Sequence, residues 1–546
     1  MKKTRWSVIS IFLVLLLVMT GCSTTTGSDK PKEKEKEGQV AKGPKVLNLN
    51  NSTEPGSLHP AIAQGTHDSW VLEHIFEGLT RKNPEGEIVP GVAEKWDISP
   101  DGKTYTFTIK DGMKWSNGDP LTAHDFEYAW KYALSPEAAG TYAYQFYYIV
   151  GAKEYNEKKG TADQVGIKAL DDKTLEVKLT APTAFFLDLT TFYTYYPINQ
   201  KVQEANPKWA NEASSFVSNG AFKLTEWKHK ESIKIEKNEN YHEADKIKLD
   251  VVNFAMLDDA NTVWQMYQNN EVDLVYPLPT DVQGQLLKSG DKEFQNGPQL
   301  AVYYYNFNNK KKPFNNVKVR KALAMAIDRK VITENVVQGG QPPAYGIIPP
   351  GIPDVEGDFQ DNSGNLFKED IDEAKKLLQE GLKEEGMDKM PSFSILFNTD
   401  EGHKKVAEAV QEMWRKNLGV DVTLESVEFQ VKLDREKAGD FTVSRAGWVG
   451  DYVDPMTFSD LWLTGGAYND AKWSNLEYDK LINSAKVNND NKQRSEQLHK
   501  AEQIMIEEMP VMPIYFYTRP FVVKEKVTGV YLPINRFPQF MYADIK

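Results

Sequence analysis

The chain has 546 residues, 40% of them hydrophobic and 11% aromatic, and it carries a formal net charge of −13. This length exceeds what one hydrophobic core usually organises, so two or three domains are expected. The acidic balance argues against nucleic acid as a partner and against broad adhesion to anionic lipid, and the single cysteine excludes an intrachain disulfide framework and a CxxC metal site.

The N-terminus has the pattern of a secretion signal. Residues 1–21 begin with basic residues and continue as an apolar stretch up to Met19, which has the length of a signal-peptide core and is short for a membrane span. Small residues precede Cys22, an arrangement that resembles a bacterial lipobox. We therefore predict a lipoprotein signal peptide over 1–21 and lipidation of Cys22. The alternative is an unmodified cysteine after a plain secretion signal.

The segment after the cysteine is polar. Residues 22–43 contain almost no apolar side chain, so they cannot bury enough surface to fold, and we predict a flexible tether. An acyl anchor followed by a tether would hold a large soluble body at the cell membrane, on its extracytoplasmic face.

Strands and helices are interleaved along the body. Alternating hydrophobic residues predict strands, and hydrophobic residues three or four apart predict helices. The predicted strands are 45–50, 103–110, 175–179, 233–235, 392–397 and 420–424, and the predicted helices are 71–79, 122–133, 316–332, 370–382 and 403–417. The strand–helix–strand order over 392–424 predicts a parallel pair with a right-handed crossover. The fold class is therefore α/β.

One stretch, residues 444–455, combines features suited to a binding site. It begins as an apolar run, passes through two glycines and ends in two carboxylates beside aromatic residues. Glycine allows another backbone to come close. Asp451, walled by Trp448 and Tyr452, is placed to meet a cation away from bulk water, where paired charges interact strongly. The alternative interpretation is a strand that runs into an ordinary acidic loop.

Motifs for catalysis are absent from the sequence. It contains no GxxxxGK[ST], no GxGxxG after a strand, no HExxH and no GxSxG, and no two histidines have zinc-ligand spacing on one predicted helix. We therefore predict no catalytic residues, no metal and no cofactor, and that the protein is not an enzyme. A secreted hydrolase and a surface adhesin remain alternatives from other classes.

Short segments over nearly the whole body together resemble one family. They are Phe76-Glu77-Gly78-Leu79, Trp115-Ser116-Asn117-Gly118-Asp119-Pro120, Ser218-Asn219-Gly220-Ala221-Phe222, Val319-Arg320-Lys321-Ala322-Leu323, Pro343-Ala344-Tyr345-Gly346, Arg445-Ala446-Gly447-Trp448 and Pro513-Ile514-Tyr515-Phe516-Tyr517. In order and spacing they resemble the peptide-binding lipoproteins of ABC importers, which form the oligopeptide and dipeptide branch of the large solute-binding proteins of family 5.

The resemblance implies a two-lobed periplasmic-binding-protein-like fold, of the class II solute-binding kind, with an additional domain in the N-terminal half. The implied division is lobe I over 44–76, 200–300 and 519–546, the extra domain II over 77–199 and lobe III over 301–518. The chain would cross between lobes near Gln299–Leu300 and near Thr518–Pro520.

The resemblance also implies a function. A short peptide would lie extended between closed lobes, gripped through main-chain hydrogen bonds of the strand-addition kind, with hydrated pockets for its side chains. A monomeric receptor would deliver the peptide to the permease and ATPase subunits of an ABC importer. The alternative within the family is a dipeptide, murein-peptide or signalling-peptide (pheromone) receptor.

Site residues follow from the resemblance position by position. Asp451 matches the acid that binds the peptide amine in the family. Such an acid is needed because an unpaired buried ammonium costs several kcal/mol. The other implied ligand contacts are the backbone of Gly447 and Val449, the facing segment with Gln64 and Thr66, the peptide-start tyrosine Tyr142, the arginine Arg445, the wall residue Trp448, and the pocket positions Tyr276, Tyr304, Phe429, Asn469 and Tyr517.

The departures from the family pattern concern the far end of the peptide. His403 lies where some relatives have a carboxylate partner, whereas Val337 and Glu436 lie where such relatives carry lysine or arginine. Glu436 at such a place would repel a carboxylate. Either longer peptides pass on through a more open groove, or another group holds the carboxylate. Phe429, where relatives often have tryptophan, indicates a modified pocket.

Overall fold

Strands occur throughout the part of the chain that this computed structural model describes, residues 43–546. The signal peptide, Cys22 and the tether up to residue 42 lie outside the described residues. In chain order the strands are β1 Val46–Asn50, β2 Thr80–Lys82, β3 Ile88–Pro90, β4 Ala93–Ile98, β5 Thr104–Ile109, β6 Ile167–Ala169, β7 Thr174–Lys178, β8 Phe222–Lys228, β9 Ser232–Lys237, β10 Val251–Ala255, β11 Leu274–Val275, β12 Phe294–Gln295, β13 Pro298–Phe307, β14 Phe393–Asn398, β15 Val422–Val427, β16 Val443–Val449, β17 Val511–Thr518, β18 Phe521–Val523, β19 Val527–Thr528 and β20 Asp544–Ile545.

Many helices begin where a side chain accepts a hydrogen bond from the first turn, as N-cap residues do. Asp400 accepts from the backbone of His403, and Glu428 accepts from the backbone of Gln430 and Val431. The helices are α1 Thr66–Ile75, α2 Ala123–Leu134, α3 Ala152–Asn156, α4 Phe186–Leu189, α5 Gln200–Ala205, α6 Ala260–Gln268, α7 Thr280–Ser289, α8 Val317–Met325, α9 Arg329–Val331, α10 Phe359–Ser363, α11 Ile371–Glu384, α12 Glu401–Leu418, α13 Phe429–Ala438, α14 Met456–Ser459, α15 Leu476–Ala485 and α16 Asn491–Glu508.

A five-stranded sheet carries the C-terminal half, in the order β15-β14-β16-β13-β17. Strands β14 and β15 are parallel, with Phe393 opposite Val422, as the sequence predicts. Strand β13 runs antiparallel to both β16 and β17. Its side chains alternate between two cores: Tyr303 packs with helices α8, α11 and α12 in one, and Tyr304 packs in the other.

The remaining sheets draw on other segments. One has the order β1-β10-β9-β8 and another the order β4-β5-β7-β6, with a smaller sheet β11-β18-β12 and the pairs β2-β3 and β19-β20. Within residues 43–546, only β13 crosses a predicted domain boundary, since it starts at Pro298 and pairs with lobe III strands. Because the other strands each lie within one predicted domain, we propose the three-domain division for the folded chain.

The helix predicted over 316–332 is wrong in its extent. Helix α8 ends at Met325, α9 covers only Arg329–Val331, and a π-helical turn follows over Ile332–Val337. The Asp328 carboxylate accepts a hydrogen bond from the Val331 amide and starts a new helix. The Arg329 guanidinium donates to two backbone carbonyls of the broken segment, at 3.1 and 3.2 Å. Hydrophobic spacing does not reveal such caps.

The helix predicted over 71–79 is displaced toward the N-terminus. Helix α1 spans Thr66–Ile75, because the Asp68 carboxylate accepts hydrogen bonds from the amides of Gln64 and Gly65, at 3.0 and 3.1 Å, and so fixes the first turn. Among residues 43–546, none of the helices combines the length and apolarity that a bilayer crossing needs.

Candidate functional site

Parallel strands bring three loops to one edge of the five-stranded sheet. Strands β14, β15 and β16 all end there, and the residues that follow them, 399–403, 428–433 and 450–451, line a common cavity of about 420 Å³. Ligands of open α/β sheets bind at this carboxyl edge. The facing wall comes from segments 51–53, 64–67 and 276–280.

The structure brings nearly all of the predicted site residues to this cavity. The first and the last of them in the chain, Gln64 and Tyr517, are 453 positions apart. The predicted residues in the wall are Gln64, Thr66, Tyr142, Tyr276, Tyr304, His403, Phe429, Arg445, Gly447, Trp448, Val449, Asp451 and Tyr517.

Asn469 is the predicted residue that the structure does not bring to the cavity wall. Its side-chain amide donates to the carbonyls of Trp462, Leu463 and Trp473, at 3.2, 3.0 and 2.8 Å, and so fixes the loop before helix α15. Buried amides usually satisfy backbone groups in this way. The neighbours Tyr468 and Asp470 line the cavity instead.

Asp451 is a buried carboxylate, 4% exposed, at the end of β16. Its oxygens accept hydrogen bonds from Gln145 Nε2 at 2.6 Å and from the Tyr142 hydroxyl at 3.4 Å. No lysine or arginine of residues 43–546 forms an ion pair with it. Burial raises the pKa of Asp451 well above its usual range; the Arg536 guanidinium opposes this rise and Asp460 adds to it. The carboxylate therefore lacks a direct cationic partner.

Aromatic rings surround the approach to this carboxylate. The ring centroids of Trp448 and Tyr468 are 4.8 Å apart, and those of Tyr142 and Tyr468 are 5.1 Å apart. Aromatic faces attract a cation through their quadrupole. Together with Asp451 they form a site suited to an ammonium group.

Around Arg445 the cavity wall carries a positive charge, in contrast to the wall at the Asp451 carboxylate. Its guanidinium donates to the Tyr517 hydroxyl at 2.6 Å and lies 4.7 Å from the centroid of the Tyr303 ring. Its Nε atom has no hydrogen-bond partner among residues 43–546. Burial lowers the pKa of His403 well below its usual range, and the nearby Arg445 lowers it further, so the imidazole is neutral. Arg445 is thus the cation at this part of the wall.

Glu436, predicted to repel a peptide carboxylate, has a cationic partner of its own. Its carboxylate forms an ion pair with Lys432 Nζ at 2.7 Å, and the two side chains are 2% and 4% exposed. Ser444 Oγ donates to the other carboxylate oxygen. The sequence reasoning missed Lys432, although its spacing of four residues from Glu436 on helix α13 is the signal for such a pair. Val337 lines the cavity as an apolar residue.

One cluster of side chains outside the cavity contains a serine, a histidine and an aspartate, the residue types of a hydrolase triad. His499 Nδ1 lies 2.9 Å from Ser363 Oγ, and His499 Nε2 lies 2.9 Å from the Asp354 carboxylate. The imidazole stacks on Phe359, and the serine hydroxyl also donates to Glu502. None of these residues lines the cavity, and they hold the turn before α10 to helix α16. Residues 43–546 contain no group of histidine, cysteine and carboxylate side chains placed to hold a metal ion.

Comparison with known proteins identifies the relatives of this architecture. The model of the bacterial extracellular solute-binding proteins, family 5 Middle, matches residues 87–470. The chain is 46% identical over 542 residues to the oligopeptide-binding protein OppA of Bacillus subtilis, with 97% of each chain covered. The crystal structure of Haemophilus influenzae OppA in complex with RPPGFSPFR has a TM-score of 0.85 at 33% identity, covering 92% of this chain and 99% of that chain.

The same comparison distinguishes two conformations of one relative. The structure of the Escherichia coli murein tripeptide-binding protein MppA has a TM-score of 0.85, whereas the unliganded open form of MppA has 0.62, both at 33% identity and with 92% of this chain covered. The matches cover 99% of the first MppA chain and 98% of the open one. The conformation of this chain is therefore unlike the open form. These likenesses confirm the predicted two-lobed α/β fold with its additional domain.

Proposed function

This chain belongs to the bacterial extracellular solute-binding proteins of family 5, and from that premise we propose that it is an extracytoplasmic oligopeptide receptor of an ABC importer. Members of the family are binding proteins, which agrees with the prediction that the chain is not an enzyme. The observation that carries the proposal is Asp451, a buried carboxylate that faces a large cavity without a cationic partner among the described residues. A peptide amine would supply that partner.

The edge of β16 supports main-chain recognition. Strand β14 pairs with β16 only at Val443 and Ser444 and then diverges, whereas β13 pairs with β16 along its whole length up to Val449. Residues 445–449 therefore present one edge that no strand of the described chain pairs with. An extended peptide would add to this edge at Gly447 and Val449, which gives affinity whatever the peptide's side chains are.

Closure of the lobes would complete the site. Gln64 and Thr66 face β16 from the opposite wall. Lys437 Nζ, at the end of helix α13, donates to Gln64 Oε1 and to Thr141 Oγ1, each at 2.7 Å. The ligand would shift the population toward this arrangement by hinge closure.

The far end of a short peptide would meet Arg445. Because His403 is neutral and Lys432 is paired with Glu436, the guanidinium is the cation most able to hold a carboxylate there. In the cell, Cys22 would carry the lipid anchor, residues 22–43 would be the tether, and the permease and ATPase subunits of a peptide importer would receive the ligand.

Titration calorimetry with peptides of two to six residues tests the proposal. Peptides with a free amine should bind, and the same peptides with an acetylated amine should bind much more weakly. Equal binding of blocked and free peptides would show that Asp451 is not the anchor. The dependence of affinity on length separates an oligopeptide receptor from a dipeptide receptor.

Peptide affinity should depend on pH through Asp451. Since burial raises the pKa of this carboxyl in the empty protein, a free-amine peptide must displace its proton on binding. Affinity should therefore rise with pH, by about tenfold per pH unit below that pKa, and fall again above the amine pKa of about 8. Calorimetry in buffers of different ionisation enthalpy measures the proton released. An acetylated peptide, which does not need the ionised carboxylate, should lack this pH dependence.

Replacing Lys437 with methionine should loosen the closed arrangement. The variant loses two hydrogen bonds between the walls that an exposed ammonium donates, each worth roughly 0.5–1 kcal/mol in contact with solvent. We expect a larger radius of gyration of the unliganded protein in small-angle scattering and about tenfold weaker peptide binding. The matched control is Lys480→Met, at an exposed position of helix α15; an equal effect in both variants would contradict a specific role of Lys437.

A further inference from the structure

The two faces of β16 present different chemistry to the cavity. Arg445 belongs to one face, and Ser444, Ala446 and Trp448 belong to the other, because successive side chains of a strand alternate. Tyr304 lies directly across from Ala446 on β13 and so shares the second face. The Tyr304 hydroxyl has no hydrogen-bond partner within residues 43–546.

Two carboxylates adjoin this second face, and they differ in their partners. Glu436 is matched by Lys432 and by the hydroxyl of Ser444. Among the described residues Asp470 has one ion-pair contact, a long one, with the Lys472 ammonium 3.7 Å from Oδ1, and its side chain is 16% exposed. Neither of its oxygens accepts a hydrogen bond from any residue that the structure describes, and Oδ1 is fully buried. A buried acceptor without a donor destabilises the folded protein.

We propose that Asp470, together with Tyr304 of the same cavity wall, is a subsite for a cationic side chain of the bound peptide, so that the receptor favours lysine or arginine near the peptide's amino terminus. The inference rests on the proposed function, since it assigns a preference to the same cavity. It makes Asp470 a specificity-determining residue.

The position along the peptide follows from Tyr468. This ring packs against Trp448 and Tyr142, and Tyr142 donates to Asp451. Asp470 follows Tyr468 by two residues in the same cavity wall. The anchor for the amine and the proposed subsite therefore both lie close to the Tyr468 ring in one cavity, within reach of the first residues of a peptide.

Other side chains fit this wall less well. An acidic side chain would meet Asp470 and Glu436 together, and Lys432 is already paired with Glu436. An apolar side chain would leave the buried oxygen of Asp470 without a donor. A lysine or arginine side chain supplies both the charge and the hydrogen bonds.

The electrostatics of the wall agree with this geometry. Burial and, after it, the Glu436 carboxylate raise the pKa of Asp470 to about 7, against the opposing effect of Lys472, Lys432 and Lys437. The tyrosines Tyr304 and Tyr468 are the other titratable groups that face it. A ligand cation would favour the ionised form, so the preference for lysine should grow between pH 6 and pH 8.

The test compares tripeptides in which lysine occupies each position in turn with their norleucine counterparts, which have a similar length and no charge. Titration calorimetry on the full-length protein should give about tenfold or greater preference for lysine at one of the first positions. Asp470→Asn should remove that preference, measured as the ratio of lysine to norleucine affinity within the same variant. Asp440→Asn, at an exposed carboxylate outside the cavity, should keep it.

A second variant keeps the inference testable if Asp470→Asn does not fold. Lys472→Met removes the neighbouring ammonium and should increase the preference for lysine; an unchanged or smaller preference overturns the subsite. Equal affinity for lysine and norleucine at every position of the wild-type protein also overturns it, while the proposed function stands. Failure of every free-amine peptide to bind would instead contradict the proposed function itself.

Discussion

Replacing Asp451 with alanine is expected to weaken the binding of a free-amine tripeptide by about 3–5 kcal/mol, the usual effect of removing one partner of a buried charge pair. In the variant the peptide ammonium would be buried without the Asp451 carboxylate. The Gln145 amide and the Tyr142 hydroxyl would also lose the acceptor to which they donate. Titration calorimetry measures the loss directly. Asp440→Ala, which removes an exposed carboxylate, is the matched control and should bind like the wild type.

A double-mutant cycle separates this loss from a general disturbance of the cavity. Acetylation of the peptide should weaken binding to the wild-type protein by a similar amount, and it should have little further effect on the Asp451→Ala variant, because both changes remove the same interaction. Fully additive losses would contradict a direct contact between the amine and Asp451.

Stability provides an independent readout for the same residue. A carboxyl group whose pKa is raised by folding contributes least at high pH: its stabilisation is complete below the unfolded pKa and is lost as pH rises through the folded pKa. Wild-type protein without ligand should therefore lose thermal stability, in part through Asp451, as the pH rises above the unfolded carboxyl pKa of about 4. Asp451→Asn should lose less over this range, although its peptide binding is impaired.

The pattern of residues 444–455 was sufficient to single out Asp451 after an apolar run with two glycines, but it left an ordinary acidic loop open as the alternative. The sequence was sufficient for the parallel pair of β14 and β15, whose hydrophobic runs flank an amphipathic helix. The family resemblance then supplied wall residues as distant as Gln64 and Tyr517, which no local pattern connects.

The remaining features depend on tertiary contacts. The unpaired edge of β16 exists because β14 diverges after Leu396, which a hydrophobic pattern does not encode. Asp470 reaches the cavity because the neighbouring Asn469 folds its loop through three carbonyls. The family resemblance predicted Asn469 for the cavity wall. In the structure the adjacent residue, Asp470, lines the cavity instead.

The pairing of Lys432 with Glu436 leads to a second large effect, on stability. Lys432→Met would leave the Glu436 carboxylate, 2% exposed, without a cation. Breaking a buried pair in this way costs about 3–5 kcal/mol. For a domain the size of lobe III, the thermal midpoint should fall by roughly 6–20 °C, which calorimetric scanning of the unliganded protein measures.

Removing both members of the pair tests the reason for that loss. Lys432→Met combined with Glu436→Gln eliminates the unpaired charge, so its thermal midpoint should return close to that of the wild type. Lys318→Met breaks an ion pair at the surface, with Glu380 and Glu384, and should change the midpoint little. If the double variant were as unstable as Lys432→Met alone, the loss would come from packing of the lysine chain. In that case an unpaired Glu436 carboxylate would cost the folded protein little. Glu436 could then repel a peptide carboxylate, which would restrict the length of the ligand.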